Sequence, residues 1–282
     1  MKGLEIFVRG IKGKLRIGIP GLNYLLGEAN TLIQEVFGGG IHRRLNGLID
    51  ISLAARFRTI SEQYEPLAFR IMGEILKPGS FALDIGANIG LYTLAMAKLV
   101  GPHGKVVSFE PASESFQALL DHVRRNSLGK IVEAHMLVVG NKAGNCQFID
   151  DGVLGTNRVG DSLSQRIGAK IVKRRVVTLD QIFCGDGSLP DFIKIDVEGY
   201  EMDVLEGAQK ILTQKRCPIL CELHPGYWRG MNLNPNNLIR LTEELGYNIF
   251  DLTGNPCFDF ENRKIVLLRT MGWHTGRSHV LP

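Results

Sequence analysis

The stretch Phe81-Ala-Leu-Asp84-Ile-Gly86-Ala87-Asn88-Ile-Gly90 limits the fold of this chain more than any other. An apolar run rises to an acid, breaks into a loop holding two glycines, and resumes as Leu91-Tyr-Thr-Leu-Ala-Met-Ala-Lys-Leu. That pattern is a buried strand turning tightly into a helix. The glycines let backbone approach a ligand closely, and the helix start offers unpaired N–H groups with partial positive charge. The turn is therefore built to hold a nucleotide, with Gly86, Ala87, Asn88 and Gly90 as its candidate backbone contacts.

The choice of nucleotide follows from the acids. A dinucleotide fold places G-x-G-x-x-G here, so that a pyrophosphate rests on the helix start. This chain has D-x-G-A-N-x-G instead, and Asp84 would repel a pyrophosphate while suiting the ammonium of S-adenosylmethionine (SAM). Twenty residues beyond Gly90, the strand Lys105–Phe109 ends in Glu110, where a carboxylate can accept both hydroxyls of a ribose. The two acids together favour SAM over a nicotinamide cofactor.

Five stretches extend the pattern: Asp84-Ile-Gly-Ala-Asn-Ile-Gly90, Phe109-Glu-Pro111, Thr178-Leu-Asp180, Asp191-Phe-Ile-Lys-Ile-Asp-Val-Glu-Gly199 and Cys221-Glu-Leu-His224. In order and spacing they resemble the FkbM-type methyltransferases, over roughly residues 62 to 225. The resemblance implies a Rossmann-like class I methyltransferase fold with SAM as cofactor, usually acting on oxygen. It adds Pro111 to the cofactor residues and brings in Tyr64-Glu65-Pro66, which matches a Tyr-Glu-Pro sequence of the family. Glu65 there either lies near the methionine end of the cofactor or merely stabilises a helix start.

The remaining chain fits one α/β domain with an N-terminal extension. Strands alternating with helices imply a mostly parallel sheet, seven-stranded in the resembled fold, with helices on both faces; two late strands joined without a helix imply an antiparallel edge. Residues 1–60 form the extension, in which 22–37 recur at helical spacing and could dock on the domain or across a homodimer. Residues 61–270 form the methyltransferase domain, with a helix expected from Ser61 to Lys77 whose inner face carries Leu67, Ile71, Ile75 and Leu76. One strand is expected over Ile131–Val139, closed by Gly140 at the place of the adenine. The insertion 141–177, with strands at Cys146–Ile149 and Arg175–Val177 and a mobile Gly-rich connection over 150–159, is the candidate substrate lid, and 271–282 a frayed tail.

Chemistry concentrates on two strands. Lys194, Asp196 and Glu198 lie two apart and share one face of an extended strand, as do Glu222 and His224 on the next. Buried charge at such a place is expensive unless paired or used. His224 is the expected general base, oriented by Glu222; Asp196 holds either the substrate hydroxyl or the SAM ammonium, and Lys194 either stabilises an alkoxide or pairs with an acid. Asp196, Glu222 and His224 could also hold a divalent ion, a set still short of one oxygen donor.

Composition weighs against several classes. With 33 basic and 29 acidic residues the net charge is only +4, which leaves no dominating field for RNA. The five cysteines are scattered without a C-x-x-C pair, so a reduced, cytoplasmic chain without structural zinc is expected. No apolar stretch is long enough to span a bilayer. A small-molecule hydroxyl, on a sugar or secondary metabolite, is the expected acceptor; a scaffold that binds SAM without catalysis and a methyltransferase acting on nitrogen or RNA are the alternatives.

Overall fold

Phe81–Ile85 becomes a central strand because both its faces are covered: Ala82, Leu83, Asp84 and Ile85 are all buried. The computed structural model describes residues 40–152, 158–159, 170–185, 187–260, 262 and 264–270. The expected helix at 22–37, the arm before it and the tail 271–282 lie outside the described residues. The chain divides into two compact units, Met1–Tyr64 and Glu65–Pro282.

In the first unit, β1 (Ile41–Leu45) and β2 (Ile49–Leu53) form an antiparallel hairpin. Asn46 opens its turn with φ +51°, a conformation asparagine tolerates better than most residues. The Asn46 side chain then ties Tyr64 down, donating to its carbonyl at 2.7 Å and accepting its N–H at 2.9 Å.

The second unit holds the strands β3 (Phe81–Ile85), β4 (Lys105–Phe109), β5 (Val132–His135), β6 (Val138–Val139), β7 (Gly144–Ile149), β8 (Arg158–Val159), β9 (Ile171–Val177), β10 (Phe192–Ile195), β11 (Ile219–Leu223), β12 (Asn248–Phe250) and β13 (Lys264–Arg269). Seven of them form one sheet in the order β12-β13-β11-β10-β3-β4-β5. The run from β11 through β5 is parallel, and β13 enters antiparallel between β11 and β12. Strand order therefore reverses between β3 and β10, and open α/β sheets bind ligands at such a reversal, beyond the carboxyl ends of the strands.

Several helices differ from expectation for identifiable reasons. The helix expected from Ser61 runs Pro66–Ile75. Pro66 suits a first helical position, while the residue before a proline avoids the right-handed region, and Glu65 takes φ +43°. The later start shifts the buried face to Ala68, Phe69 and Met72, leaving Leu67 exposed. Ser61 instead accepts the Gln63 N–H at 3.0 Å. The apolar positions Met202, Leu205, Ala208, Ile211 and Leu212 after Gly199 recur at the spacing of one helix, but the chain forms two, Glu201–Glu206 and Gln209–Gln214. At the break, a Cβ on Gly207 would stand 2.0 Å from the Gly140 carbonyl oxygen, and Asp180 caps the second piece by accepting the N–H groups of Lys210 and Ile211, both at 3.0 Å. Thr178 caps its own short helix, Leu179–Phe183, accepting the Gln181 N–H.

The expected single strand 131–139 is two. β5 ends the large sheet, and β6 leaves it to pair with β9 in a second sheet of order β6-β9-β7-β8. The two strands expected in the insertion are β7 and β9, both longer than expected, and the described part of the insertion is sheet. Arg174 on β9 anchors it, donating to the Pro111 carbonyl at 2.6 Å and to Asp150 Oδ2 at 2.9 Å, while Ser113 donates to the same Asp150.

Candidate active site

Gly86, Asn88, Glu110, Pro111, Asp196 and Glu198 converge on one cleft at the carboxyl ends of β3, β4 and β10, about 640 Å³ of space continuous with solvent. Its far wall is apolar, built from Phe109, Leu137, Val138 and Val139 together with Phe148 and Val159 of the second sheet. One side of the cleft is therefore charged and the other greasy, a division that suits a ligand with an aromatic base at one end.

The turn after β3 is fixed by its neighbours. Gly86 (φ +80°) and Ala87 both donate to the Phe109 carbonyl, at 2.9 and 3.0 Å. Asn88, at φ +48°, donates its N–H to Glu110 Oε2 at 2.6 Å and accepts from Ser115 at 3.0 Å. Glu110 also accepts the Ala112 N–H on Oε1 at 2.7 Å. Each carboxylate oxygen has two lone-pair sites, so one on each remains for a further donor. Burial lifts the Glu110 pKa to about 7, against the two backbone N–H bonds that lower it.

Asp84, expected to face the ligand's ammonium, is instead fully buried behind the turn. Register places Asp84, Ser108 and Lys194 side by side on one sheet face. Thr93, from the helix Leu91–Val100, donates to Asp84 Oδ2 at 2.5 Å and meets Ser108 at 2.9 Å. Asp84 Oδ1 has no hydrogen-bond partner among the described residues. Burial raises the Asp84 pKa, with the Lys194 charge opposing. Lys194 donates to Asp196 Oδ2 at 2.9 Å and lies 4.8 Å from the Tyr92 ring centroid. Burial pulls its pKa down, but Asp196 and Asp84 outweigh that and hold it above the usual lysine value. The Tyr92 hydroxyl donates to Glu65 at 2.5 Å, so Glu65 supports the aromatic ring beside Lys194.

His224 is arranged differently from expectation. Its Nδ1 is 2.7 Å from Glu201 Oε1, and Glu201 also accepts Trp228 Nε1 at 2.8 Å and the Gly199 N–H at 2.8 Å. Glu201, not Glu222, orients the imidazole. The strand alternation that would put Glu222 beside His224 stops at Leu223, because His224 (φ −121°, ψ 65°) already turns the chain into Pro225–Trp228. Glu222 is buried on β11, where its charge helps keep Lys194 protonated. His224 Nε2 faces Glu198 Oε2 at 3.6 Å and Asp196 Oδ1 at 3.8 Å. Glu198 reaches this point through a turn at φ +50°, not through an extended strand. Burial lowers the His224 pKa, but Glu201, Glu198 and Asp196 together raise it.

Gly90 and Gly140 each stand against a packed neighbour. Gly90 (φ +92°) lets Leu119 close on the helix start, where a Cβ would meet the leucine at 2.5 Å. Gly140 abuts Gly207, and its N–H bonds the Val177 carbonyl. The apolar wall just before it, Leu137 to Val139, borders the cleft instead. Arg158, which the sequence did not single out, lines the cleft from β8 with its guanidinium 5.1 Å from the Tyr227 ring centroid.

A parallel run with a β13 insertion, and a glycine turn and acid-tipped strands at its order reversal, define a class I methyltransferase fold. Residues 84–249 match the model of the methyltransferase FkbM domain, and the chain belongs to that family. Among curated proteins, the AMB antimetabolite synthetase AmbE of Pseudomonas aeruginosa is 24% identical over 193 residues, covering 54% of this chain but 9% of that protein. The hexuronic acid methyltransferase AglP of Haloferax volcanii is 24% identical over 178 residues, 62% of this chain and 66% of its own length. This chain thus spans less than a tenth of the first and just under two thirds of the second. A crystal structure of methyltransferase FkbM from Methylobacillus flagellatus KT superposes at TM-score 0.45 with 17% identity, covering 71% of this chain and 50% of that one. No described helix is long and apolar enough to cross a membrane.

Proposed function

We propose that this chain transfers the methyl group of SAM to a hydroxyl oxygen of a small molecule. The observation that carries the reading is the shared wall of the cleft: the glycine turn with Glu110, and the Asp196–Glu198 pair backed by His224. The ribose of SAM would donate to the remaining sites of Glu110, and its adenine would lie on the apolar wall. SAM supplies an activated methyl carbon. The protein must then align an oxygen with the C–S bond and accept a proton as the new bond forms. Asp196, Glu198 and His224 would either take it themselves or hold a group that makes the hydroxyl acid enough to lose it to solvent. Family membership supports a methyl acceptor, and the hexuronic acid methyltransferase among the relatives supports a sugar hydroxyl as the first class to screen.

The test is a calorimetric titration of the full chain with SAM, S-adenosylhomocysteine and NAD, followed by transfer of labelled methyl to a panel of sugar and secondary-metabolite hydroxyls. The two adenosyl ligands should bind and NAD should not; absence of adenosyl binding overturns the reading. His224→Ala should keep SAM binding and lose turnover by roughly 10²–10⁴-fold, the usual range for a proton-transfer group.

The raised pKa of Glu110 sets a second expectation. In the free chain this group holds its proton more tightly than the unfolded chain does, so its contribution to stability is lost as pH rises from the unfolded value toward about 7. Ribose hydroxyls donate to the ionised form. SAM affinity should therefore rise with pH up to about 7, by up to about tenfold per unit, with proton release on binding. Titrations in buffers of different ionisation enthalpy read that release directly, and Glu110→Gln should abolish it.

A further inference from the structure

We propose that Asp196, Glu198 and His224 form a binding site for one divalent cation of the manganese or zinc type, at the charged wall of the cleft. One donor atom from each residue lies within 4.8 Å of the other two. A cation about 2.1 Å from each donor would bring the donors to roughly 3.0–3.4 Å from one another, the span of right-angled to tetrahedral coordination. His224 Nε2 stands 3.6 Å from Glu198 and 3.8 Å from Asp196, within reach of a shared cation once the side chains rotate inward.

The histidine distinguishes this cluster from an ordinary acidic patch. Its side chain is 4% exposed, and Nε2 has no hydrogen-bond partner among the described residues although it is aimed between two carboxylates. A buried polar atom without a partner calls for an explanation. The other ring nitrogen, Nδ1, is held by Glu201, itself fully buried and fixed by Trp228 and Gly199. A carboxylate on the far nitrogen of a histidine is the arrangement that orients metal-bound imidazoles. Lys194 takes Asp196 Oδ2, which leaves Oδ1 as the oxygen turned toward Nε2. Two carboxylate oxygens with one imidazole suit manganese, iron or zinc better than magnesium, which prefers oxygen alone. Glu198 thus takes the place that the sequence pattern gave to Glu222, whose charge acts on Lys194 instead.

The role of the cation rests on the methyl-transfer reading. Asp196 and Glu198 border the cleft, so the acceptor hydroxyl oxygen could take a further coordination position. Its O–H bond breaks with the proton passing to solvent, its electron pair forms the bond to the methyl carbon, and the C–S pair leaves with S-adenosylhomocysteine. A cation acidifies such a hydroxyl and holds it in line.

The experiment is titration of the full-length chain, stripped with EDTA, by Mn²⁺ with calorimetry and electron paramagnetic resonance, in the absence of SAM. One site per chain is expected, with Mg²⁺ binding more weakly. Glu198→Gln and His224→Ala should each weaken Mn²⁺ binding by at least tenfold, and circular dichroism checks that each variant is folded. Glu201→Gln should weaken it by roughly 10–100-fold, as loss of a histidine's orienting carboxylate does. Failure of the stripped wild-type chain to bind Mn²⁺, or equal affinity in Glu198→Gln, overturns the site. A parallel SAM titration in EDTA separates the two readings: SAM binding without any Mn²⁺ site removes the cation and keeps methyl transfer, whereas a Mn²⁺ site without SAM binding keeps the cation and removes its assigned role.

Discussion

Gly86→Ala is expected to abolish ligand binding at the cleft and to lower the melting temperature by roughly 5–15 °C, at about 2–4 °C per kcal/mol for a domain of this size. A Cβ on Gly86 would stand 1.7 Å from the Asp196 carbonyl oxygen and 2.8 Å from its carbon. That obstacle is backbone at the end of β10, so no side-chain rotation relieves it. The glycine also has φ +80°, which costs an L residue about 1–2 kcal/mol by itself. Overpacking adds about 1–3 kcal/mol more. Relief requires β3 and β10 to separate where their carboxyl ends form the cleft, which would move Asp196 and Glu198 away from the Gly86–Asn88 turn. Thermal unfolding and SAM calorimetry on the variant check both effects. Gly79→Ala is the control: φ is also positive, +88°, but the added Cβ meets nothing within 4 Å, so only the strain cost should appear. Equal losses in the two variants would show that the close approach at Gly86 is not what matters.

The turn was legible because its determinants are local. The apolar run, the acid, the two glycines and the returning apolar helix lie within twenty residues, and each answers to a backbone or burial demand of its own. β4 with Glu110, β10 and β11 were legible for the same reason. The antiparallel edge followed from the missing helix between the last two strands. What escaped depends on contacts across the fold. The strand expected through Val139 stops at His135 because its last residues find a different partner, β9, and no periodicity within the segment records that choice. The helix break at Gly207 follows from the approach of Gly140, 67 positions earlier in the chain.

The candidate site divides along the same line. Asp196, Glu198 and His224 stood out as charge at strand ends, and the structure brings them together. Glu201 did not stand out, since an acid in the first turn of a helix is ordinarily a dipole partner. Its partners His224 and Trp228 are 23 and 27 residues away. The one local signal was the spacing of Glu198, Gly199 and Glu201, where the Glu201 side chain folds back on the Gly199 N–H. Asp84 shows how burial complicates such a reading. An acid at a strand end beside a glycine turn reads as a ligand contact, but the strand is covered on both faces, so the side chain is buried against Thr93 and Ser108.

Glu201→Ala should cost more stability than any other single removal of charge in the site. The carboxylate is fully buried and accepts from His224, Trp228 and Gly199. Its removal leaves two buried ring nitrogens and one backbone N–H without an acceptor, and breaking a buried charged pair from one side costs about 3–5 kcal/mol. Glu201→Gln keeps the shape but offers one acceptor oxygen and turns an NH₂ toward the remaining donors, so an intermediate loss is expected. The pH dependence separates loss of the ion pair from loss of packing. Glu201 is the foremost of the carboxylates that raise the His224 pKa above its unfolded value. A histidine of that kind contributes stability that is full below the unfolded value of about 6.5 and is lost as pH rises through the folded one. The stability gap between wild type and Glu201→Ala should therefore be widest below pH 6.5 and narrow as the pH rises through the folded-state value. Urea unfolding across that range gives the gap directly. A gap that stays constant with pH would mean that Glu201 acts through packing and neutral hydrogen bonds, and that the imidazole does not depend on its charge.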